Sequence, residues 1–75
     1  MRIRVVFLGG PPRDIETNGG RIELEVQDGS GVGDIRARLG IDHAWSAAIG
    51  KRIALDAETL TDGAELAFVG PMEGG

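Results

Sequence analysis

The amino-acid sequence predicts an α+β domain in which one main helix packs on one face of a mixed sheet of four to five strands. Segments with alternating apolar and polar residues, which are typical of strands, occur at both ends of the chain and between them. One central segment has apolar residues at helical spacing. The length of 75 residues suits one compact domain with a small core.

The first two strands are predicted over residues 2–8 and 21–27, because apolar residues occupy every second position there. Residues 9–20 between them contain Pro11-Pro12 and are predicted to form a loop. We expect the two strands to pair antiparallel, since the second has one polar, solvated face. The residues predicted to face the core are Ile3, Val5, Phe7, Ile22, Leu24 and Val26.

The helix follows the second strand. Ser30 or Gly31 can provide its N-cap, Asp34 suits the positive end of the helix dipole, and Gly40 can end it. Its apolar positions follow the spacing i, i+3, i+7 and share one stripe. These positions are Val32, Ile35 and Leu39.

Three shorter strands are predicted after the helix, at about 46–49, more weakly near 53–55, and over 64–69 after the turn Asp62-Gly63. The helix lies between the second and third predicted strands, and this excludes a simple meander of consecutive strands. The order fits a β-grasp, in which the first and last strands lie parallel and adjacent at the centre of the sheet. In the last strand, the predicted core residues are Leu66 and Phe68.

Composition narrows the classes of partner. The formal net charge is −4, which disfavours nucleic acid, because phosphate binding needs a basic surface. No apolar run approaches the roughly 20 residues of a membrane span. The sequence has no cysteine and therefore no thiolate metal site. We expect a cytoplasmic protein that contacts neither nucleic acid nor membrane.

The usual catalytic patterns are missing. The lone His43 has no metal-binding neighbours in the sequence, and Asp56 and Glu58 resemble solvated charges of a polar loop. The stretch Asp28–Gly31 has neither the lysine of a Walker motif nor dinucleotide-binding spacing, so a turn and helix cap explain it better. We therefore expect no independent enzyme.

The C-terminal stretch, residues 70–75, is the strongest candidate for chemistry. Pro71 cannot donate to a β-ladder, so a domain over residues 1–70 and a flexible tail over 71–75 are predicted. Gly74-Gly75 forms the thinnest possible peptide and can enter a narrow channel of another enzyme. The α-carboxylate there can attack the α-phosphate of ATP and form an acyl-adenylate.

The stretch LTDGAELAFVGPMEGG, residues 60–75, resembles the C-terminal end of the ubiquitin-like sulfur carriers. These are the small subunit of molybdopterin synthase and the thiamine-pathway sulfur carrier. The stretch DGSGVGDIRARLG, residues 28–40, is similar to the turn and helix of that family. The chain departs from the family pattern at Ala64, where aspartate is usual, at Ile49-Gly50-Lys51 in place of an Asn-Gly turn, and at Gly70-Pro71 in place of two prolines.

The resemblance implies a carrier protein or protein co-substrate. A ubiquitin-activating-type adenylating enzyme would use ATP and Mg²⁺ to activate Gly75, which Gly74 precedes, and a sulfur donor would form a thiocarboxylate there. The chain itself would bind no cofactor and no metal. The acceptor would be a sulfur-accepting synthase subunit or a thiazole synthase, with the molybdopterin-type pathway favoured over thiamine thiazole.

A partner surface is predicted on the sheet face that points away from the helix. Alternate residues of the first and last strands should form one apolar patch there, next to the tail. The loop over residues 9–20 or a second copy of the chain offers an alternative cover for this patch. The predicted partner-binding residues are Val6, Leu8, Ala67, Val69, Pro71 and Met72.

Two other functions use the same residues differently. A covalent protein modifier would be joined to its targets through Gly75. A non-covalent β-grasp binding module would have an incidental Gly-Gly end. The sequence alone does not distinguish either of these functions from that of a sulfur carrier.

Overall fold

The computed structural model describes residues 1–12 and 14–71, and this part of the chain forms one five-stranded mixed sheet and one helix. The strand order is β2-β1-β5-β3-β4, with β1 and β5 parallel at the centre and the other neighbours antiparallel. This confirms the predicted β-grasp, the ubiquitin-like fold. The elements are β1 (Arg2–Leu8), β2 (Arg21–Glu25), α1 (Val32–Leu39), β3 (Ser46–Ile49), β4 (Arg52–Ile53) and β5 (Glu65–Val69).

Four predicted strand boundaries are wrong by one or two residues. β2 ends at Glu25 instead of residue 27, because the chain then turns and the amide of Ser30 donates to the carbonyl of Gln27. β4 spans Arg52–Ile53 instead of about 53–55, because the turn at Gly50, whose φ is +64°, pairs Arg52 directly with Ile49. β5 begins at Glu65 instead of residue 64.

The core lies between the sheet and α1. Every second residue of β1 points to the helix, and the same alternation holds in β5, as the sequence predicts. Phe7 and Phe68 stack with their ring centroids 6.0 Å apart. The buried apolar residues are Ile3, Val5, Phe7, Val32, Ile35, Ile41, Ala47, Ala54, Leu60, Leu66 and Phe68.

The start of α1 is bound by the chain that precedes β5. The amides of Val32 and Gly33 donate to the carbonyls of Glu58 and Asp56, both at 3.0 Å. A Cβ on Gly31 would lie 3.0 Å from the carbonyl oxygen of Glu58, so glycine permits this approach. The glycine-rich stretch therefore builds a helix start whose first amides already have acceptors, which leaves them unavailable to a phosphate.

The outer edge of β2 is covered at both ends. Asn18 and Arg21 exchange backbone hydrogen bonds at 3.0 and 3.4 Å, and Nη1 of Arg38 donates to the carbonyl of Glu25 at 2.7 Å. These contacts occupy the two ends of the edge and leave less backbone there for pairing with another strand. The broad surface of the sheet that the described residues leave open is the face opposite α1.

Within residues 1–12 and 14–71, no helix combines the length and the apolar character that crossing a membrane requires.

Candidate partner-binding surface and tail root

The outward side chains of β1 and β5 lie side by side on the sheet face opposite α1. The parallel register pairs Val6 with Ala67 and Leu8 with Val69. The side chains of Leu8 and Val69 are 50% and 38% exposed, while Val6 and Ala67 are half-buried. In the described part of the 9–20 loop, no segment buries Leu8 or Val69. Their role in binding a partner stays a prediction.

The apolar surface extends further than the sequence indicates. Ala67 pairs with Ala48 of β3, and Ala48 pairs with Ile53 of β4, which is 74% exposed. The row that begins at Val6 therefore crosses four strands, and its outermost member, Ile53, is mostly exposed. We call this surface the outer patch; it consists of Val6, Leu8, Ala48, Ile53, Ala67 and Val69.

Charged side chains occupy the other half of the same face. Arg4 lies between Glu23 and Glu65, with nitrogen–oxygen distances of 3.6 and 3.8 Å, and Arg2 pairs with Glu25 at 2.8 Å. These pairs are exposed and each stabilises the fold little. Their position matters more: they border the outer patch on the side away from the C-terminal end of β5.

The root of the tail is the point where β5 ends, next to the outer patch. Gly70 is half-buried and Pro71 is exposed. The other predicted tail residues, Met72, Gly74 and Gly75, lie outside the described residues. The structure thus brings Val6, Leu8, Ala67, Val69 and Pro71 to one end of the sheet, and the predicted reactive end follows four residues after Pro71 in the sequence.

A buried arginine fixes the segment that faces the tail root. Arg36 is only 7% exposed, and its Nη1 donates to the carbonyls of Asp42 and Trp45, each at 2.9 Å. Its Nε donates to Oδ1 of Asp56 at 3.1 Å, and its guanidinium lies 5.4 Å from the ring centroid of Phe68. The charge is therefore compensated although it is buried. The sequence gives no signal for this role, since arginine on a short helix normally faces water.

The carboxylate of Asp56 also binds His43, whose Nε2 lies 2.8 Å from Oδ2. The hydrogen bond with His43, together with Arg36, lowers the pKa of Asp56 below its ordinary value, against the opposing effect of partial desolvation. Asp56 is exposed, as the sequence-based interpretation expects, but it is also paired with Arg36 and His43, which the sequence does not indicate. Glu58 is paired too: its Oε1 accepts from Nη1 of Arg52 at 2.7 Å, which lowers the pKa of Glu58.

We expect Asp56→Asn to lower the free energy of unfolding at neutral pH, because the carboxylate holds both Arg36 and His43. Since the pKa of Asp56 is lower in the folded chain than its ordinary value of 3.8, this stabilisation is present above pH 3.8. It is lost as the pH falls through the folded-state pKa. Urea unfolding of both proteins across this range measures the difference.

Asp14→Asn is the matched control, because none of the described residues forms a hydrogen bond or ion pair with the exposed Asp14 side chain. A destabilisation by Asp56→Asn that persists unchanged in strong acid would contradict this account.

No protein-family model and no curated protein matches the chain. Two crystal structures of small archaeal modifier protein 1, SAMP1, from Haloferax volcanii are similar to it. One covers all of both chains with a TM-score of 0.74 at 18% identity. The other covers 95% of this chain and 98% of its own with a TM-score of 0.71 at 17% identity. At this level of identity the likeness shows a shared β-grasp fold.

Proposed function

We propose that the chain is a sulfur carrier protein, with residues 1–70 as the body that an activating enzyme recognises and residues 71–75 as the arm that is modified. The observation that supports this most is the position of the outer patch. An exposed apolar surface lies beside the end of the strand that leads to Pro71 and then to Gly74-Gly75. An enzyme bound to the patch is close to the tail root.

The proposed chemistry has two steps. An α-carboxylate oxygen of Gly75 attacks the α-phosphorus of ATP, held with Mg²⁺ by a ubiquitin-activating-type adenylating enzyme, and pyrophosphate leaves. A sulfide-level donor then attacks the acyl carbon, AMP leaves, and a thiocarboxylate forms. Gly74 gives the chain the small cross-section that a narrow active-site channel requires. The carrier contributes no catalytic side chain of its own.

The acceptor that we favour is the large subunit of a molybdopterin-type synthase, with a thiazole synthase as the second choice. The resemblance of residues 60–75 to the end of the sulfur carriers supports an acceptor of this class and is shared by both choices. The outer patch suits either acceptor, because both would take the sulfur from the same end of the sheet.

The second candidate is a covalent protein modifier joined to its targets through Gly75. The similarity to a protein named as a modifier favours it. Both functions need the same activated carboxylate, and they differ only in whether sulfide or a lysine amine attacks the acyl-adenylate. A non-covalent binding module remains the third class.

Mass spectrometry of the protein from its native host separates these functions. For the carrier we expect an intact mass shifted by the replacement of one oxygen by sulfur. A modifier would instead appear in conjugates that survive denaturation. Because Glu73 precedes Gly74-Gly75, an endoproteinase that cleaves after glutamate would leave diglycine on the target lysine. A protein that shows neither product in its host would contradict both functions.

A further inference from the structure

Trp45 and Gly70 lie directly opposite each other at the end of the sheet. Ser46 pairs with Val69 in the antiparallel ladder between β3 and β5, which makes Trp45 and Gly70 the next residues along it. A Cβ on Gly70 would lie 3.1 Å from Cη2 of the indole, 3.2 Å from Cζ3 and 3.3 Å from Cζ2. The six-membered ring of Trp45 therefore covers one side of the chain where it leaves β5.

The absence of a side chain at Gly70 matters for space and not for backbone conformation. Among the glycines that the structure describes, eight others have a positive φ, and Gly70 does not. Its backbone is open to any L-residue, but a methyl group there would crowd the indole, and the ring would have to shift by a few tenths of an ångström. This contact therefore gives a spatial reason for glycine at the last position before Pro71.

The indole lies on the helix side of the sheet. Its ring meets the ring of Phe7 edge to face, with centroids 6.0 Å apart and planes at 89°, and Phe7 is buried against the core. The carbonyl of Trp45 is held by the buried Arg36. A rigidly supported side chain thus closes the helix side of Gly70, while the opposite side faces the outer patch.

We propose that Trp45 is a positioning residue for the activation of Gly75. Its side chain closes the helix side of the tail root. The activating enzyme, bound to the outer patch, would therefore bind the residues after Gly70 from the outer face of the sheet. This inference rests on the proposed function, and it assigns to Trp45 a role in presenting the tail that is separate from binding. Variants at this contact should therefore change turnover and leave recognition of the body intact.

The test is a double-mutant cycle read by ATP–pyrophosphate exchange with the adenylating enzyme of the same host. Misplacement of a reacting group by about 1 Å can cost on the order of 100-fold, and we expect Gly70→Ala to lower kcat by about 10- to 100-fold. Trp45→Leu keeps an apolar side chain near Phe7 and removes the ring atoms that touch Gly70. It should lower kcat to a smaller extent, and adding Gly70→Ala to it should cost nothing further.

Two readouts separate positioning from folding. The KM for the carrier should stay at the wild-type value in all three variants, because the outer patch is unchanged, and thermal unfolding should show that each is folded at the assay temperature. The inference is overturned if Gly70→Ala lowers kcat equally in both backgrounds, if it has no effect, or if KM rises in parallel. If the wild-type chain supports no exchange at all, the proposed function itself fails.

Discussion

Val69→Asp is expected to weaken activation by the adenylating enzyme strongly while the domain stays folded. Val69 is 38% exposed and lies beside Leu8 in the outer patch. A carboxylate placed there would lose its water in the complex without gaining a partner. Leaving a charge unpaired in an interface costs about 2–5 kcal/mol, which corresponds to a loss of about 30-fold to more than 1,000-fold in kcat/KM.

The fold should tolerate this change because Val69 is the last residue of β5 and its side chain points to solvent. Exposed substitutions of this kind usually alter stability by no more than about 0.5 kcal/mol. Thr61→Asp is the matched control, since it adds the same charge at an exposed position before the other end of β5. Wild-type exchange kinetics for Val69→Asp would show that the outer patch does not bind the enzyme.

Gly74→Val is expected to lower kcat for ATP–pyrophosphate exchange by about 100-fold, although it keeps the terminal carboxylate. Valine adds a branched side chain to the peptide that must enter the active site, and it removes the backbone angles that only glycine adopts readily. The outer patch is untouched, so the variant should still compete with the wild-type chain for the enzyme.

Glu73→Ala is the control for this prediction, because it changes the adjacent position without adding bulk at the reactive end. We expect a much smaller effect from it. Equal kinetics for Gly74→Val and the wild-type chain would contradict the idea that a narrow channel requires two glycines.

The elements of the fold that repeat a simple pattern could be predicted from the sequence. The alternation in β1 and β5 identified both of their faces, and the apolar stripe with Gly40 at its end identified α1. Because β1 and β5 were expected to be adjacent, the four members of the outer patch on these two strands followed from the alternation alone; they are Val6, Leu8, Ala67 and Val69. Periodicity is a local property, and it is reliable where each strand is long enough to show it.

The rest depends on contacts between distant residues. The outer patch extends to Ala48 and Ile53 because the tight turn at Gly50 sets the register of β4, and two residues are too few to show a period. The burial of Arg36 and the contact between Trp45 and Gly70 arise only when the chain before β3 meets the end of β5. Neither has a sequence signal beyond the presence of a single tryptophan.

The central claim is that the α-carboxylate of Gly75 is the group on which the activating enzyme acts. Its most direct test compares ATP–pyrophosphate exchange with the full chain and with a chain that lacks only Gly75. With the full chain we predict an exchange rate that saturates as the concentration of the chain rises. With the shortened chain we predict no exchange above background. The shortened chain should still bind the enzyme and inhibit exchange with the full chain. Equal exchange with both chains, or none with either, would contradict the account.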